Sequence, residues 1–148
     1  MNILAIDTAG RTAAVAVMRD DALLYECNTN TGLTHSETLL PMVDTALKSC
    51  GLRCADIDLF GVTAGPGSFT GLRIGLAAVK GMAFVKDVPC AGVSTLEALA
   101  WGMTGEGTVA GALDARRGQV YWAGFDLATH ERLTPDTAAP AETLENFV

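Results

Sequence analysis

Val62-Thr63-Ala64-Gly65-Pro66-Gly67-Ser68-Phe69-Thr70-Gly71-Leu72-Arg73-Ile74-Gly75 is the stretch around which the rest of the chain organises itself. The run over 57–64 reads as a buried strand. Gly65-Pro66-Gly67-Ser68 reads as the turn that hands this strand to a helix over about 70–86, with Pro89 beyond its end. Ser68 or Thr70 can cap that helix, because a hydroxyl at a helix start satisfies an amide that has no partner one turn back. Amides at a helix N-terminus also attract anions. Gly67, Ser68 and Thr70, with Asp7 and Thr8 at the end of the first strand, are therefore candidate nucleotide or phosphate contacts. The turn is not a P-loop, since no Gly-Lys-Ser/Thr follows it.

The helix itself is unusual. Gly71, Gly75 and Gly81 each cost about 1 kcal/mol relative to Ala in a helix interior. Leu72, Ile74, Leu76, Val79, Met82, Phe84 and Val85 surround its axis, so more than one side should be covered. Gly71, Gly75 and Ala78 permit close approach of a neighbouring element. What remains of the apolar surface, shared with the helix before it, is expected to form a partner site.

Upstream, residues 2–7 form an apolar run ending in Asp7, and 12–18 and 22–27 are β-prone stretches separated by Arg19-Asp20-Asp21. An antiparallel meander is expected. A helix over 38–50 follows, with Leu39, Val43, Ala46, Leu47 and Cys50 on one stripe and Gly51 at its end. Pro41 fits its first turn if Thr38 is the N-cap, whereas a start at Ser36 demands a kink. Downstream come a strand over 90–94 and a helix over 95–102. The order β-β-β-α-β-α-β-α is that of an α/β, ribonuclease H-like core.

The pattern then restarts. Ile3-Leu4-Ala5-Ile6-Asp7 is echoed by Ala110-Gly111-Ala112-Leu113-Asp114, each an apolar strand that delivers an Asp to its C-terminal end, and residues 119–125 supply the next strand. This divides the chain into a first lobe over 1–103 and the start of a second over 104–148. After Pro135 and Pro140 only a helix start over 141–148 remains, so the second lobe is either minimal or truncated, and truncation is the expectation adopted.

Composition narrows the function classes. A hydrophobic fraction of 49% with 18% charged residues describes a globular chain with a real core. The formal net charge of -7 opposes direct binding to a polyanion, which relies on Lys and Arg to neutralise phosphates. No signal peptide or membrane-spanning run is evident, and a cytoplasmic location is expected. Cys27, Cys50, Cys54 and Cys90 are expected to remain thiols, since no second pair or nearby His completes a metal site.

A duplicated core with Asp at both strand ends resembles the architecture of sugar kinases, actin and the Hsp70 chaperones. The opening stretch resembles the hallmark of the TsaB (YeaZ) proteins and of their catalytic relative TsaD, within the M22 glycoprotease-like group. Ile6-Asp7-Thr8 agrees with it. So do His35-Ser36-Glu37 with Leu39-Leu40-Pro41-Met42, and Asp114-Ala115-Arg116-Arg117-Gly118-Gln119-Val120-Tyr121-Trp122. The resemblance implies a non-catalytic scaffold subunit in the modification of tRNA adenosine to N6-threonylcarbamoyladenosine. It implies a TsaD-like catalytic partner, a TsaE-like ATPase, a homodimer in isolation, tRNA met through the complex alone, and no membrane. It implies no cofactor on this chain by itself, with ATP and magnesium entering at the level of the complex. It also places the partner interface on the two helices, where His35, Leu39, Leu40, Met42, Val43, Leu47, Leu72, Gly75, Leu76 and Val79 are the candidate residues.

Two other classes compete. An ATP-binding phosphotransferase of the actin-like group needs nucleotide held between two complete lobes. An M22-type peptidase, like the catalytic relative, needs a His-x-x-x-His pair, and Leu39 occupies the position that follows His35 at that spacing; His130 is the other histidine. A Ser68-His35-Asp7 triad is a formal option, but Gly67-Ser68-Phe69-Thr70-Gly71 lacks the Gly-x-Ser-x-Gly elbow.

Overall fold

Alternation along the first strands decides which face becomes the core. The computed structural model describes residues 1–146. Strand β1 (Asn2–Asp7) buries Leu4 and Ile6, β2 (Ala13–Arg19) buries Ala13, Val15 and Val17, and β4 (Leu59–Gly65) buries Phe60 and Val62. With period 2 these side chains share one face. Strand β3 (Ala22–Thr29) pairs antiparallel with β2, β2 antiparallel with β1, and β1 parallel with β4. Adding β5 (Cys90–Ser94) gives the order β3-β2-β1-β4-β5, which is the expected ribonuclease H-like arrangement.

Helices α1 (His35–Ser49) and α2 (Phe69–Phe84) pack against one another, and both contribute to the core cluster of this sheet. Leu39, Val43, Ala46 and Leu47 come from α1, and Val79 and Ala83 from α2. Helix α1 starts earlier than the proline suggested. Its N-cap is Thr34, whose N–H and hydroxyl donate to Glu37 Oε2 at 3.0 and 2.6 Å. Pro41 therefore lies inside the helix and not in its first turn, at a cost of about 3 kcal/mol against about 1 kcal/mol for a cap, and the burial of Leu39, Val43, Ala46 and Leu47 carries the helix through it. The same donors hold the Glu37 carboxyl below its ordinary value. Its contribution is thus present above the ordinary carboxylate range and lost as pH falls below it.

A second compact unit comprises residues 65–67 and the chain from Ser94 onward, whereas the sequence pattern placed the boundary at 103 and 104. The difference is α3 (Thr95–Trp101). Its Leu96 and Ala100 bury with Ala123 and Phe125 of the second sheet. In that sheet β6 (Thr108–Arg116) pairs antiparallel with β7 (Gln119–Asp126), and β7 also pairs with β8 (Glu131–Arg132) and β9 (Thr137–Pro140). Gly111 makes room for α3, since a Cβ there would lie 2.3 Å from the Leu96 carbonyl oxygen. Arg132 fastens the assembly. It donates to Asp136 at 2.5 Å and to Glu97 at 3.2 Å, with its guanidinium 4.8 Å from the Phe125 ring centroid.

The two aspartates make a similar local bond in different places: Asp7, the last residue of β1, accepts at Oδ1 from the N–H of Ala9 at 2.8 Å, whereas Asp114 lies within β6, at a register shift and short of the strand end expected for it, and accepts at Oδ1 from the N–H of Arg116 at 2.7 Å. The helix start expected over 141–148 is a 3-10 turn over Ala141–Asn146, and residues 147 and 148 lie outside the described ones. No helix among the described residues is long and apolar enough to cross a membrane.

Candidate interaction site

The first strand's end, the start of α2 at Ser68 and the start of α1 meet in the first unit. Thr8, fully buried, donates its hydroxyl to the Gly71 carbonyl at 2.8 Å. The N–H of Ser68 donates to the Ala9 carbonyl at 2.7 Å. Asp7 Oδ1 also accepts from Thr63 Oγ1 at 2.7 Å, and His35 Nε2 lies 2.8 Å from the Gly10 carbonyl. Ser68 is the cap of α2, its Oγ accepting from the N–H of Gly71 at 3.2 Å.

These bonds commit most of the candidate phosphate contacts to the fold. Thr8 is sealed under α2, and Ser68 and Asp7 already serve the turn. Thr70 is exposed and Gly67 half-buried. Ser68, His35 and Asp7 are each bonded elsewhere and make no hydrogen bond with one another among the described residues. Within the same limits, no three His, Cys, Asp or Glu side chains converge as metal ligands.

Helix α2 has two faces of different character. Its inner stripe, Gly71, Gly75, Val79 and Ala83, recurs every four residues and is buried. A Cβ on Gly71 would sit 2.1 Å from the Thr8 carbonyl oxygen, and one on Gly75 would sit 2.4 Å from Thr8 Oγ1. Both glycines therefore serve contact inside the chain. Several residues expected at a partner interface belong to this interior. Leu39, Val43, Leu47 and Val79 lie in the core, and Gly75 is closed off by Thr8 and Val62. Hydrophobic stripes point to the nearest apolar layer, which here is the chain's own sheet. Leu40 is exposed, whereas His35, Met42, Leu72 and Leu76 are half-buried.

The outer stripe is Thr70, Arg73, Ala77, Lys80, Gly81 and Phe84, all exposed. Phe84, the last residue of α2, retains 87% of its accessible surface, and Phe69, its first residue, 75%. The Arg73 guanidinium stands 5.3 Å from the Phe69 ring centroid. Thr70, Arg73, Ile74 and Ala77 line a groove of about 360 Å³. Sequence reasoning passed over Phe69, Arg73 and Ala77 as outward residues, and counted Phe84 among those around the axis without assigning it a side. The signal was present in Gly71 and Gly75, since two glycines four apart mark the side of closest approach and so the side opposite.

Comparison with known proteins gives this surface a context. Residues 29–145 match the family model of TsaD, tRNA N6-adenosine threonylcarbamoyltransferase. The chain is 41% identical to the tRNA threonylcarbamoyladenosine biosynthesis protein TsaB of Bacillus subtilis, over 82% of its own length and 53% of the relative's. Against TsaB of Escherichia coli the figures are 40%, 84% and 55%. The chain thus spans about half the length of these curated relatives. The solved structure of YeaZ from Pseudomonas aeruginosa superposes with a TM-score of 0.85 at 32% identity, covering 94% of this chain and 67% of that one.

Proposed function

The chain belongs to the TsaB (YeaZ) family, and from that premise we propose that it serves the formation of threonylcarbamoyladenosine in tRNA as a non-catalytic subunit supporting a TsaD-like partner. The observation that carries this reading is the two-sidedness of α2. Its glycine stripe is consumed inside the chain, while its other side leaves Phe69 and Phe84 in water. Large apolar side chains left exposed along one helix are a common mark of a protein surface awaiting a partner. Leu40 of α1 is exposed as well. In this reading the polar residues of the first strand end and glycine turn hold the docking helices in place. Nucleotide, magnesium and tRNA then enter through the complex, in keeping with a net charge of -7.

The test is pairing with a TsaD-type transferase, measured by calorimetry. A Phe84→Asp variant should keep the parent's circular dichroism and lose at least about tenfold in affinity, the equivalent of about 1.4 kcal/mol. Lys48→Ala, a change on the polar side of α1, should alter stability and pairing by less than about 0.5 kcal/mol. Undiminished pairing by Phe84→Asp would remove the outer stripe of α2 from the interface.

A further inference from the structure

We draw no further inference here: the strongest candidate, the open edge of the first sheet at β3, where Leu23 and Leu24 stand exposed beside a register shift, carries none, because nothing in the structure shows what covers it.

Discussion

A Gly71→Ala protein should lose much of the stability of its first unit, although it gains a single methyl group. That carbon would lie 2.1 Å from the Thr8 carbonyl oxygen and 3.3 Å from His35 Cδ2. The carbonyl has little room to retreat, because Thr8 is fully buried and its hydroxyl is bonded to Gly71's own carbonyl at 2.8 Å. Overpacking of a core typically costs about 1 to 3 kcal/mol, and a clash with fixed backbone belongs at the upper end of that range or beyond it. Against a total of about 5 to 15 kcal/mol, urea denaturation will register it plainly. Gly75→Leu should behave the same way, with Thr8 Oγ1 at 2.4 Å and Val62 Cγ2 at 3.5 Å from the first added carbon. Gly81→Ala is the contrast. Nothing lies within 4 Å of a Cβ there, and a gain of about 0.4 to 1 kcal/mol is expected. A Gly71→Ala protein as stable as its parent would show that α2 does not press on the first strand's turn.

Phe125→Ala should cost about 3 to 5 kcal/mol, the usual range for emptying a fully buried aromatic site. The ring is the hub of the second unit, meeting Trp101 edge-on at 5.3 Å between centroids and carrying Arg132 on its face. The loss should also be selective. In hydrogen exchange, the amides of α3 should lose protection together with those of β6 and β7, while β1 and β4 keep theirs. Retained protection in α3 would return that helix to the first unit and restore the boundary at 103.

The sheet of the first unit was legible because 2–7, 12–18, 22–27 and 57–64 are apolar or β-prone runs bounded by turn residues such as Arg19-Asp20-Asp21. The start of α1 was not. Pro41 fitted a start at Thr38, and the Thr34–Glu37 cap that marks the observed start lies outside the stripe that reveals the helix. Helix α3 has seven residues, too few for their pattern to say which sheet receives them, and the informative residue, Gly111, lies on the receiving strand. The docking surface was half legible. An apolar helix announces that it has covers on more than one side, but the residues around its axis do not say which cover comes from within. In α2 that answer is spatial, fixed by Thr8 pressing on two glycines.

The same glycines set the order in which the chain can fold. A helix that carries Gly71, Gly75 and Gly81 forfeits about 1 kcal/mol at each relative to Ala, on top of an unfavourable nucleation step. Alone in water it should be mostly coil. It becomes helical when the turn after β1 is there to receive it, so the β1-β2-β3 meander, built from neighbouring segments, should form first. In rate measurements Val15→Ala should slow folding, and Val79→Ala should chiefly hasten unfolding, although both side chains are equally buried in the native state. The reverse pattern would place α2 in the folding nucleus. With α2 outside the nucleus, the face offered to a partner is the last part of the first unit to take shape, created by the strands it rests on.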